Sequence, residues 1–222
     1  MPKSAVYVLS IGCLLALAGS AHGETSRERI HGDVIALRGH DLELKAGAGQ
    51  IVRVRLADHV RVSARSAANL GAIAPGAFIG TTAIPQPDGT LSAVEVHIFP
   101  ESMRGTGEGY RPMDAMPGGT MTNATVTNVA ATGKAGARNT MTNATVANVA
   151  ASGPGRRITL KYKGGEKTVV VGTSVPVVMI EPGDASMLVP GAHVLVTATK
   201  RPDGSLVSER VAVGRNGLVP PI

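Results

Sequence analysis

Residues 75–96, PGAFIGTTAIPQPDGTLSAVEV, return 115 residues later as residues 190–211, PGAHVLVTATKRPDGSLVSERV, with ten of 22 positions identical in ungapped register. The agreements include the opening Pro-Gly and the Pro-Asp-Gly-x-Leu in the middle: Pro87, Asp88, Gly89 and Leu91, then Pro202, Asp203, Gly204 and Leu206. Proline presets φ for the second turn position, aspartate suits the third, and glycine takes the left-handed conformation that lets two strands pair. Each segment therefore reads as a β-hairpin, and the repeat reads as two copies of one small β-domain.

Working outward, the residues before the first hairpin alternate with a period of two. Residues 30–37 and 40–45 form a strand, an Arg38-Gly39 turn and a second strand with Leu42 and Leu44 on one side. Residues 51–56 place Val52, Val54 and Leu56 inward and Arg53 and Arg55 outward, and Val60 and Val62 continue the pattern around Arg61. Residues 66–74 are Ala-rich and read as one or two helical turns ending at Pro75-Gly76. Five strands with a short helix between the third and fourth is the order of an OB-like barrel. After the linker, strands at 158–162, 166–171 and 175–180, a helical turn at 185–188 and the second hairpin repeat that order.

Composition agrees with an all-β reading. The chain has 222 residues, 43% hydrophobic but only 2% aromatic with no Trp, so its cores are built from Val, Ile, Leu and Ala. Gly 28 and Pro 14 suit short strands and tight turns. Lys3, an apolar run over residues 5–18 and Ala21-His22-Gly23 read as a secretory signal, too short to span a bilayer. Removing residues 1–23 takes away Lys3 and the only cysteine, Cys13, and leaves 21 basic against 16 acidic residues, a charge of +5. Such a chain has no disulfide, thiol nucleophile or cysteine metal site.

A nearer repeat lies between the two hairpins. TMTNATVTNVAA at 120–131 returns as TMTNATVANVAA at 140–151, with only Thr127 and Ala147 differing. One copy is expected to open the second barrel. The later one is chosen because Val146 follows Val34 by 112 residues, close to the hairpin offset, whereas Val126 follows it by 92. The earlier copy is then spare, as a disordered stretch, an added edge strand or an exchange partner for the other. The expected domains are a signal peptide at 1–23, an OB-like barrel at 24–100, a Gly/Met-rich linker with the spare repeat at 101–139, a second barrel at 140–217 and a tail at 218–222. The fold class is all-β, two tandem small OB-like barrels, each with a short helical turn before its fourth strand.

These residues resemble the bacterial exported domain-of-unknown-function family 5666, small OB-like barrels often found in tandem. The likeness rests on Gly32-Asp33-Val34, Leu42-Glu43-Leu44, Pro75-Gly76 and residues 88–91 in the first copy. In the second it rests on Leu160, Pro190-Gly191 and residues 203–206, with Ala144-Thr145-Val146 replacing the glycine opening. The resemblance implies a fold and no activity, since the shared residues are turn and core positions.

Candidate chemistry is sparse. No Gly-x-Ser-x-Gly elbow, His-Glu-x-x-His or phosphate loop occurs, so no enzyme and no cofactor is expected. The stripe Arg53, Arg55, Arg61 would track phosphates, but single-strand binding needs aromatic platforms that two Phe and three Tyr do not furnish, so nucleic acid is not an expected partner. Residues 101–120 hold five glycines and two prolines and read as a linker or extended loop. Its side chains Glu101, Met103, Arg104, Glu108, Tyr110 and Arg111 are the candidate binding residues for an envelope protein, peptide or glycan. The alternative is a copper-type site from His97, Met103, Met113 and Met116, since thioethers are soft ligands. The expected role is thus a periplasmic or secreted non-catalytic binding or scaffold module with no transmembrane segment after signal cleavage. Metal handling is the competing role.

Overall fold

Period-two runs separated by Gly- and Pro-rich turns produce strands throughout the computed structural model, which describes residues 26–113, 116–132 and 155–221. The signal-peptide reading and the later strand copy, residues 140–151, lie outside the described residues. The strands are β1 (Arg27–Arg38), β2 (Asp41–Ala46), β3 (Ile51–Ala68), β4 (Phe78–Pro85), β5 (Leu91–Ile98), β6 (Gly109–Pro112), β7 (Thr120–Thr132), β8 (Gly155–Tyr162), β9 (Gly165–Val171), β10 (Val177–Pro182), β11 (His193–Lys200) and β12 (Leu206–Gly214). The expected helical turns are single 3-10 turns at Leu70–Ala72 and Ala185–Met187. Gly89 and Gly204 have φ of 80° and 83°, the left-handed conformation the Pro-Asp-Gly turns require. Asp88 and Asp203 each accept from the backbone N–H two residues on, at 3.0 and 2.9 Å.

The hairpins close crosswise. β1, β2 and β3 pair in succession, β1 also pairs β11, β11 pairs β12, and β12 runs parallel to β3, which closes a five-stranded barrel. Its last two strands come from the far end of the chain. The complementary set, β7, β8 and β9, joins the first hairpin: β4 pairs β7 and β5, and β5 meets β9 at Leu91↔Val169 and Ser92↔Val170. Each core is correspondingly mixed. One gathers Val34, Leu42, Leu44, Val54 and Leu56 with Val194, Val196, Ala198, Val211 and Val213. The other gathers Ile79, Leu91, Val96 and Ile98 with Val126, Ile158, Leu160, Val169 and Val171. Domain limits at 24–100 and 140–217 therefore do not follow the strand pairing: each of those segments places strands in both sets.

β3 links the two sets. Its 18 residues contain no glycine or proline, and it continues past a register shift at which residues 57–60 stand opposite the single Glu209 of β12. The end of β3 then meets β10 antiparallel, from Ser63↔Pro182 to Ala68↔Val177. β10 continues into β5 in parallel through Val177↔Val96. Under the hairpin offset that last pair matches Val62↔Val211 between β3 and β12. The two halves of the chain are thus related by an approximate twofold axis through the β3–β10 ladder.

The earlier strand copy, not the later one, forms β7. Val126 N–H donates to Ala77 O at 2.8 Å and Gly76 N–H donates to Val126 O at 2.8 Å. In the first barrel Val34 N–H donates to Ala192 O at 3.0 Å and Gly191 N–H to Val34 O at 2.8 Å. Val126 therefore does the work of Val34. The expectation based on the 115-residue offset is corrected: β7 keeps its own spacing because it joins the hairpin that precedes it, β4–β5, and not the one that follows.

Candidate functional site

A cleft of about 740 Å³ opens at the β1–β2–β3 wall. Ala36 and Arg38 end β1 at one side, Asp41 to Glu43 of β2 and residues 51–55 of β3 form the floor, and Gly204, Ser205 and Leu206 of the β11–β12 turn make the opposite lip. That lip is there because β12 runs parallel to β3 from Val207↔Arg55, which carries the turn before it alongside residues 51–54. Alternation along β3 points Val54 and Leu56 into the barrel and leaves Arg53 and Arg55 outside. Ile51, half exposed, supplies an apolar patch at the mouth.

Charges in the cleft are cross-strand pairs. Arg53 donates to Glu43 Oε1 from Nε at 3.2 Å and from Nη2 at 3.0 Å, and Arg55 Nη1 donates to Asp41 Oδ1 at 3.2 Å. Both pairs are solvent-facing and contribute little stability, ~0–1 kcal/mol each. They hold the two arginines flat across β2 and β3, and their remaining N–H groups are available to acceptors on a ligand. Arg38 makes no ion pair among the described residues. Arg53 and Arg55 of the arginine stripe therefore form one wall of a cleft, while Arg61 is not among its lining residues. Its other wall comes from a turn some 150 positions further along.

The residues singled out in 101–120 are placed differently. They form a strap across the β4–β7 side rather than a free linker: a 3-10 turn at Glu101–Met103, then β6, which pairs β7 through Gly109↔Asn123 to Pro112↔Thr120. Arg104 is held by Glu101 at 2.5 and 2.7 Å, donates to Gly76 O at 2.8 Å and to Thr125 Oγ1 at 3.2 Å, and lies 5.9 Å from the Phe78 ring centroid. Glu108 accepts from Lys163 N–H at 2.8 Å, and the Tyr110 ring faces Lys167 Nζ at 4.6 Å. Arg111 donates to Gly107 O at 2.7 Å and to Met121 Sδ at 3.0 Å. These side chains fasten the strap to the sheet.

Of the proposed soft-metal ligands, Met113 and Met116 share the turn that leads into β7, where Met116 N–H donates to Met113 O at 3.1 Å. Met113 is buried and its N–H donates to Gly119 O at 3.0 Å, while Met116 lies over Gly119 and Met103 sits in the 3-10 turn. His97 projects from β5 with its Nε2 against Glu95 Oε1. Among the described residues no three His, Cys, Asp or Glu side chains gather to hold a metal ion.

His97 belongs instead to a buried polar trio that sequence reading missed. Glu95 is 2% exposed on β5, and Arg65 on β3 is mostly buried, with Nε and Nη1 lacking a hydrogen-bond partner. Burial lowers the Arg65 pKa and the negative charge of Glu95 partly offsets this. Burial, reinforced by the positive charge of Arg65, lowers His97 to about 3. Histidine in an unfolded chain titrates near ~6.5, so below that pH the unfolded chain binds a proton that the fold refuses. The resulting stability is complete above pH ~6.5 and is lost as pH falls toward 3, at up to ~1.4 kcal/mol per pH unit. Urea unfolding of the parent and His97→Gln between pH 7.5 and 4.5 should show the steeper fall in the parent; parallel curves would mean that His97 is charged in the fold.

The fold and site define an all-β protein with a closed five-stranded barrel, a further set of strands crossed with it, and an open cleft walled by both ends of the chain. No family model, curated protein or solved structure matches the chain. No described helix is long and apolar enough to cross a membrane.

Proposed function

We propose that this chain is an exported, non-catalytic binding or scaffold module of the bacterial cell envelope, related to domain-of-unknown-function family 5666. It takes a protein, peptide or glycan in the β1–β2–β3 cleft. The carrying observation is the cleft itself: strands two and three of an OB-like barrel, with the neighbouring turns, are the face on which such barrels receive extended polymers. An apolar patch at Ile51 between arginine forks suits a ligand that offers both a nonpolar face and carbonyl, hydroxyl or carboxylate oxygens. The cleft displaces residues 101–120 as the favoured binding surface, because the strap spends its polar groups on the protein itself.

The test is affinity capture from envelope extract with the parent chain and with an Ile51→Lys, Arg38→Glu variant of matched stability. The expected result is a component retained by the parent and lost by the variant. Equal retention by both, or no retained component, sinks the cleft as the binding face. Metal handling is the second reading, and Cu(I) titration of the parent against a Met103→Leu, Met113→Leu, Met116→Leu variant decides it: equal binding by the two, or none, removes it.

A further inference from the structure

β7 occupies a slot between β4 on one side and β6 and β8 on the other. The slot is selective: Thr120, Thr122, Asn123, Ala124 and Val126 are all buried in it. Every one of these residues recurs in the later copy as Thr140, Thr142, Asn143, Ala144 and Val146. The one difference within the repeat, Thr127 against Ala147, falls at an exposed position, where Thr127 Oγ1 donates to Thr159 O at 3.3 Å. The match continues past the repeat. Thr132 Oγ1 accepts from Gly155 N–H at 2.6 Å, and Ser152 brings a hydroxyl to the corresponding place.

We propose that the β4–β8 slot accepts either copy, residues 120–131 or residues 140–151, so that the fold has two alternative occupants for one strand position. Connections permit both. With the first copy in place, residues 113–119 join β6 to β7 and residues 133–154 join β7 to β8. With the second copy in place, residues 113–139 make the first connection and Gly153-Pro154 alone make the second, a two-residue hairpin. Loop-closure entropy rises only with the logarithm of length, so lengthening one connection while shortening the other changes little. The first copy is favoured by the Thr127 hydrogen bond, whose hydroxyl the second lacks at Ala147. Exchange transfers a 20-residue insertion from the β8 end of the slot to the β6 end without altering any buried side chain.

Proline substitution tests this in the full chain. Val126 N–H donates to Ala77 O and the side chain is 1% exposed, so Val126→Pro bars the first copy from the slot, and Val146→Pro bars the second. The expected result is that each single variant unfolds cooperatively with a urea midpoint near the parent's, and that the double variant loses the transition. Loss of the transition in Val126→Pro alone, to the same degree as in the double variant, overturns the proposal. So does its loss in Val146→Pro alone, or its retention in the double variant, which would make the slot strand dispensable.

Discussion

A chain ended at Val189 should lose amide hydrogen-exchange protection along β1, β2 and the first half of β3, while β4, β5 and β7–β9, all of which precede the cut, keep theirs. The cut removes β11 and β12, and with them Val194, Val196, Ala198, Val211 and Val213 from the core they share with β1–β3. Each buried valine contributes about 1.5–3 kcal/mol. The four valines alone account for as much as the whole net stability of an ordinary domain, roughly 5–15 kcal/mol. The barrel also loses the ladders on β1 and on β3 at once. Had each half closed on its own hairpin, β1–β3 would stay protected together with β4 and β5 after the cut, so surviving protection in β1 and β2 would refute crosswise closure.

Replacing Glu95 with alanine should cost about 3–5 kcal/mol, read as a large fall in the urea midpoint at pH 7.5. The carboxyl group is 2% exposed, and the positive charge it offsets on Arg65 is itself mostly buried. Removing the acid strands that guanidinium in the interior, where an uncompensated charge is far more costly than no charge. Substituting both, Arg65→Met with Glu95→Leu, should recover most of the loss, because two apolar side chains of similar volume remove the charge and its partner together. If the single and double variants are equally destabilised, the loss is one of packing and the pairing of Arg65 with Glu95 is not what holds the strands. The trio has no counterpart across the approximate twofold axis: under the hairpin offset, Glu95 and His97 correspond to Arg210 and Ala212. It distinguishes one end of an otherwise repeated arrangement.

The local elements were legible because they are decided locally. Alternation at 51–56 and the Pro-Asp-Gly turns predict strands and hairpins that the structure contains, and 3-10 turns stand where short helical turns were expected. What alternation does not encode is the identity of the partner. Residues 78–85 and 193–200 carry much the same inward pattern, so either hairpin satisfies either set of strands. The partner becomes visible only in the pairings of β3 with β12 and β10 and of β10 with β5, which no period of two announces. The same limit misled the choice between the strand copies, since the later copy repeats in sequence every residue that is buried in β7.

The candidate site was half legible. Arg53 and Arg55 facing outward, with acids opposite on the previous strand, is a pattern of sequence alone. That the stripe borders a cleft depends on the 201–205 turn arriving from the other half of the chain, which no local signal announces. In residues 101–120 the error had a different source: glycines at 105, 107, 109 and 118 suggest looseness, yet each has a positive φ in the ordered strap. Glu95 escaped notice, and His97 was read only as a candidate metal ligand, because two polar residues alternating on a strand normally face water.

Crossed hairpins also constrain when the molecule acquires its structure. The first barrel has no complete wall until residue 214 has been made, and the other strand set draws on residues from 78 to 171. A growing chain therefore passes most of its length without one finished core to collapse into. Pairings such as β1 with β11 join residues more than 150 positions apart, the kind of distant contact that slows folding to milliseconds or longer. The set of β4, β5 and β7–β9 can assemble once β9 has been made, but β1–β3 stay open until the final hairpin arrives and commits the barrel.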